Sequence, residues 1–154
     1  MSSDASALRT ALADPAEASY GSTRERVLVV AYVGVLTGLI GAMAHYATLH
    51  MALAPAWVSR TPGFVLVVVT GLVTKLLAEQ MRTSAAAIIV ACLAGLGFSV
   101  GFEIAPYYLL DIDTIGGYAL VQPIAQASLA YVGEQFPLQF LGYILGVIYH
   151  GMTA

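Results

Sequence analysis

Charge is the property that this chain has least of, because only 10% of its 154 residues are Asp, Glu, Lys or Arg. A typical soluble domain has about a quarter of its residues charged. Four stretches of at least 20 residues carry no charge at all: 27–59, 83–102, 114–133 and 135–154. A helix needs about 20 apolar residues to cross the roughly 30 Å hydrocarbon core of a bilayer. The sequence therefore predicts an integral membrane protein rather than a soluble domain.

Basic residues and cysteine are also scarce, and each shortage excludes a class of function. Six Lys and Arg against nine Asp and Glu give a net charge of −3, and no basic stripe exists for a phosphate backbone. We therefore expect no nucleic-acid partner. The single cysteine, Cys92, has no second thiol for an internal disulfide. Phosphate-binding loops and the HExxH, CxxC and GxSxG motifs are missing, so we expect neither an enzyme nor a bound cofactor.

What the sequence does contain is a series of apolar segments separated by short polar breaks. The pattern predicts an all-α, polytopic transmembrane helical bundle as a single domain over residues 27–154. Residues 1–26 are polar and are expected to form a disordered, aqueous tail rather than a cleavable signal. The predicted helices cover 27–53, 62–82, 83–110, 117–132 and 137–152. The fourth contains Pro123 and is the weakest, so five spans are favoured and four remain open.

Basic residues predict the orientation of the bundle in the cell membrane. Arg24 and Arg26 precede the first span, whereas Lys75 and Arg82 close the second. The positive-inside rule puts both clusters in the cytoplasm, together with the N-terminus. Arg60 then lies outside. The C-terminus is outside with five spans and inside with four.

Small residues recur at helical spacing and suggest how the helices pack. Small side chains let helix backbones approach closely where lipid supplies no hydrophobic driving force. The glycines expected to pack helices are Gly34, Gly38, Gly41, Gly97, Gly101, Gly142 and Gly146. The spacing leaves open whether a partner helix belongs to this chain or to another. The first functional expectation is therefore a structural or accessory membrane subunit, in contact with lipid and with itself or other membrane subunits.

Polar side chains within the apolar segments support an alternative function. His45 lies on the glycine stripe of the first helix, and Glu103 is at a similar depth in the third. Gln122 and Gln126 form a polar face on the fourth segment. Ionisable groups within a membrane mark functional sites by default, although each can also make a plain interhelical hydrogen bond. The alternative is a subunit of a cation or proton channel or transporter that uses these four residues.

The three histidines support a third function, that of a haem-binding or metal-binding membrane anchor. Imidazole is a ligand for zinc, copper and haem iron, and carboxylates can complete such a site. The candidate ligands are His45, His150 and Glu103, with Asp111 and Asp113 above them. His150 reaches the same membrane side as His45 only with five spans, so the ligand set stays undefined and no cofactor is expected.

Overall fold

The computed structural model describes residues 23–50, 59–78, 80–110 and 118–153. Residues 1–22 of the predicted tail, which covers 1–26, and the loop with Asp111 and Asp113 lie outside these ranges, whereas residues 23–26 are helical. The helices are α1 (Thr23–Leu49), α2 (Thr61–Leu77), α3 (Met81–Leu109), α4 (Tyr118–Ala130) and α5 (Phe136–Thr153), with a π-helical segment, Tyr131–Gln135, between the last two. The all-α prediction is confirmed.

The boundary between the second and third helices differs from the sequence prediction. α2 ends at Leu77, and α3 begins at Met81 after an extended Gln80. The third helix was predicted to begin at residue 83, but Thr83 and Ser84 lie buried within the first turn of α3. Pro62 does lie at the start of α2, where its missing N–H has no intrahelical partner to lose.

The predicted break between the fourth and fifth segments is absent. α4, the π segment and α5 follow each other directly over residues 118–153, a helical path of about 54 Å at about 1.5 Å per residue. The Phe136 N–H donates to the Tyr131 carbonyl, which is the i→i+5 bond of a π-helix. This wider turn comes directly before Pro137, whose ring would clash with the Gly133 carbonyl in a regular α-helix.

The helices alternate in direction, and α1 and α3 run parallel. Gly34 of α1 meets the backbone of Ala87, and Gly38 meets that of Ala91, so contacts advance together along both helices. α2 is antiparallel to α1, as the Thr37–Thr74 contact near the middle and the Gly63–Thr48 contact near the end require. The 118–153 path is antiparallel to α3 and parallel to α2.

Large apolar side chains lie on the outside of this bundle, while small and polar ones lie within. Leu93 and Leu129 are 66% and 73% exposed, whereas the interior holds alanine, glycine, threonine and glutamine. A soluble bundle shows the reverse distribution. α1 and α3 are long and apolar enough to cross a membrane, and α2 is a shorter apolar helix. The surface of the described bundle is therefore suited to an apolar environment.

Candidate functional site

Polar side chains recur once per helical turn along the inner faces of three helical paths. Residues four apart in a helix share one face, which explains the rows 37–41–45, 70–74 and 135–139. We call the residues they bring together the polar core, and each is at most 6% exposed: Thr37, His45, Thr70, Thr74, Ser99, Gln135 and Gln139. The polar side-chain atoms of the polar core need hydrogen-bond partners inside the protein, because they are buried away from bulk water.

His45 makes a hydrogen-bond contact with Glu134, a partner that the sequence did not predict. Its Nε2 lies 3.3 Å from Oε2 of Glu134, and its side chain is 2% exposed against 50% for Glu134. The π segment brings Glu134 to this position, since a wider turn changes the direction of the side chain. One signal was available, because Glu134 is the only charged residue between Asp113 and the C-terminus. The predicted helices 117–132 and 137–152 leave Glu134 in the gap between them.

Glu103 pairs with His50 rather than with His45. The distance between His50 Nε2 and Glu103 Oε1 is 2.8 Å, and both side chains are partly exposed near the ends of α1 and α3. The Tyr46 ring lies against the His50 ring, with centroids 4.1 Å apart. A cavity of about 10 Å³, large enough for about one water molecule, lies between the two His–Glu pairs and is lined by His45, Tyr46, Leu49, Ser99, Glu103 and Ala127.

The middle of the polar core contains buried amide atoms that have no partner within the described residues. Ser99 Oγ donates to Oε1 of Gln135 at 2.9 Å. The Nε2 of Gln135 and both amide atoms of Gln139 are buried and make no hydrogen bond to the residues described. These amides converge on Gly41: a Cβ at that glycine would lie 3.3 Å from Thr70 Oγ1, 3.4 Å from Gln135 Nε2 and 3.8 Å from Gln139 Nε2.

The polar core ends at Thr37, one turn of α1 before Gly41, beside apolar residues. Thr74 Oγ1 lies 3.0 Å from Thr37 Oγ1, and Thr37 donates to the Val33 carbonyl. Beyond these threonines lies a packed cluster, which we call the apolar layer: Val29, Val33, Ala78 and Ala87. Lys75, which is 1% exposed, is on the same turn of α2 as Thr74. The polar core is thus closed at this end by aliphatic side chains.

The other predicted polar residues are not brought to the polar core. Gln122 and Gln126 are on the exposed side of α4, because Pro123 and Ala127 form its buried face. His150 is 16 residues beyond Glu134, which is about 24 Å along the helical path, at the end where Gly146 meets Lys75. Within the described ranges, no group of three His, Cys, Asp or Glu side chains could hold a metal ion.

The predicted packing glycines separate into two groups. Gly34 and Gly38 contact α3, Gly142 and Gly146 contact α2, and Gly41 faces the polar core. These contacts are all within the chain. A Cβ at Gly97 or Gly101 would meet nothing within 4 Å among the described residues, so the prediction that these two glycines pack helices stays a prediction. Three unpredicted glycines, Gly63, Gly71 and Gly95, make close contacts as well.

Tyrosine hydroxyls add two further interhelical contacts around the polar core. The Tyr131 hydroxyl donates to the Cys92 carbonyl on α3. The Tyr143 hydroxyl lies 3.2 Å from Ser84 Oγ, near the start of α3. Together with the Ser99–Gln135 hydrogen bond, these contacts hold the 118–153 path against α3 along most of its length.

Comparison of the chain with protein-family models, curated proteins and solved structures gives no match.

Proposed function

We propose that this chain is a small multi-pass membrane protein whose polar core is a pathway for protons or cations. The observation that carries the proposal is the contact of buried His45 with half-exposed Glu134, beside the buried amides of Gln135 and Gln139, which have unpartnered atoms among the described residues. Titratable groups buried between membrane helices are expensive to maintain and typically mark ion or proton routes. In this proposal the carboxylate on the pathway beside His45 is that of Glu134, whereas the sequence predicted Glu103 for this role.

The spacing of charges along α3 supports a membrane-crossing bundle. Arg82 and Glu103 are 21 residues apart with no charge between them, which is about 31 Å along a helix and matches the bilayer core. We propose four crossings, because residues 118–153 follow one helical path. With Arg24, Arg26 and Arg82 in the cytoplasm, both termini are then cytoplasmic.

In this orientation the pathway begins at the outer surface. The partly exposed His50–Glu103 pair lies at the outer boundary, and the small cavity separates it from His45. The polar core then leads to Thr37 and Thr74, and the apolar layer separates these threonines from the cytoplasm. Apolar constrictions close channels by excluding water, so the apolar layer is proposed to be the gate.

The proposal is tested by proton flux into vesicles that contain the purified protein and a pH-sensitive dye. We expect His45→Ala and Glu134→Gln each to reduce the flux at least tenfold, because each removes one titratable partner of the pair. The matched control is Gln122→Ala, which changes an exposed amide and should leave the flux unchanged. Equal flux from the wild type and both pair variants would remove these residues from the pathway.

A second candidate function, an accessory subunit that packs against another membrane helix, is supported by one observation. Gly97 and Gly101 form a GxxxG pair on α3 with open space above both Cα atoms among the described residues. Such pairs let a second helix approach closely.

The accessory-subunit proposal predicts that Gly97→Leu and Gly101→Leu reduce assembly while the fold is retained. Leucine at either position fills open space instead of displacing a neighbour in the described bundle. Size-exclusion chromatography with light scattering in mild detergent measures the oligomeric mass, and circular dichroism checks the fold. The control is Leu93→Ala, which changes another exposed side chain of α3. A wild-type protein that is monomeric and copurifies with no partner contradicts this candidate.

A further inference from the structure

We propose that Gly41, Thr70, Gln135 and Gln139 form an internal water site. The inference is independent of the proposed function. The site lies in the middle of the polar core, one helical turn from His45 and one turn from Thr37 on α1. It is separate from the small cavity between the two His–Glu pairs.

The hydrogen-bonding groups around Gly41 are those that a single water molecule requires. The Nε2 atoms of Gln135 and Gln139 are donors without a partner in the described structure, and Gln139 Oε1 is an acceptor without one. Thr70 Oγ1 donates to the Val67 carbonyl, which leaves its lone pairs free to accept. A buried water makes about three hydrogen bonds to such groups. Two amide donors and two oxygen acceptors therefore match its two lone pairs and two O–H bonds.

The absence of a side chain at residue 41 is what makes room for this water. A methyl group there would lie within 3.4 Å of both Thr70 Oγ1 and Gln135 Nε2. Gly41 differs in this respect from Gly34 and Gly38 on the same stripe, which contact the backbone of α3. The stripe thus serves helix packing at two positions and creates a polar space at the third.

The groups around the site favour water over a bare metal cation. Ser99 donates to Oε1 of Gln135 and so turns the N–H₂ group of that amide towards Gly41. A dehydrated cation needs several oxygen ligands in place of its hydration shell, whereas two N–H₂ groups repel it.

Water contact is tested by solid-state NMR of the full chain in lipid vesicles, with magnetisation transferred from water protons to glutamine side-chain nitrogens. We expect rapid transfer to Gln135 and Gln139 in the wild type and its loss in Gly41→Ala. Gly151→Ala is the matched control, because among the described residues its methyl group enters open space. Slow transfer to both amides in the wild type, as for a dry core, overturns the water site.

A second variant keeps the site testable if Gly41→Ala does not fold. Gln139→Met replaces the amide by an apolar chain of similar length. With a bound water we expect a lower melting temperature, because the hydrogen bonds of the amide are lost. A higher melting temperature means that the amide was unsatisfied, which overturns the water site.

Discussion

At the residue scale, two glycines let the backbones of α2 and α5 approach closely: Gly71 on α2 and Gly142 on α5. A Cβ at Gly71 would lie 1.8 Å from the Gln139 carbonyl oxygen, and one at Gly142 would lie 1.8 Å from that of Val68. Both obstacles are backbone atoms, which cannot rotate away as a side chain can. The contact positions Gln139 in the polar core, so the geometry of the core depends on two residues that carry no side chain.

Gly142→Ala is therefore expected to destabilise the fold by about 1–3 kcal/mol or more, the usual effect of overpacking. Gly101→Ala is the matched control, since its methyl group meets open space and alanine is favoured over glycine in a helix by about 1 kcal/mol. Thermal unfolding in detergent, followed by circular dichroism, compares the two. A Gly142→Ala protein as stable as the wild type would show that α2 and α5 are less closely packed in solution.

At the element scale, the sequence predicted the helices more reliably than the way they are joined. Periodicity and charge-free length predicted α1, α2 and α3 to within a few residues at most ends. The π segment was missed because Gly133, Glu134 and Pro137 together resemble a loop, whereas a π turn accommodates all three within one helix. The π segment also explains why several polar residues lie elsewhere than predicted. It joins the last two segments into one helical path, so His150 lies at the end of the bundle opposite His45, and Glu134 lies beside His45.

At the scale of the whole molecule, the order of the helices explains what could and could not be predicted about the site. His45 was identified because it shares a stripe with glycines, and stripes can be derived from spacing alone. Its partner could not be identified, because the contact between residues 45 and 134 depends on how four helical paths are arranged. In the described bundle α1 packs against α2, α3 and the π segment, and it supplies Thr37 and His45 to the polar core.

The four-crossing arrangement predicts which positions are accessible from each side of the membrane. In a Cys92→Ala background, single cysteines at Arg60 and Gly151 are expected to label from opposite sides, Arg60 from outside and Gly151 from the cytoplasm. A cysteine at Arg24 should label with Gly151. Five crossings, with the C-terminus outside, would instead make Arg60 and Gly151 label together from the outer side.

The parallel pairing of α1 and α3 has a consequence for biosynthesis. The face of α1 that carries Gly34 and Gly38 is completed only when residues up to Gly95 have been made, and Gly41 waits for Gln139. At roughly 5–20 residues per second, the 98 residues between Gly41 and Gln139 take roughly 5–20 s to synthesise. A newly inserted α1–α2 hairpin therefore exposes His45 and bare glycine backbone to its surroundings for seconds, which makes this interval the vulnerable stage for mispairing and for capture by quality-control proteases.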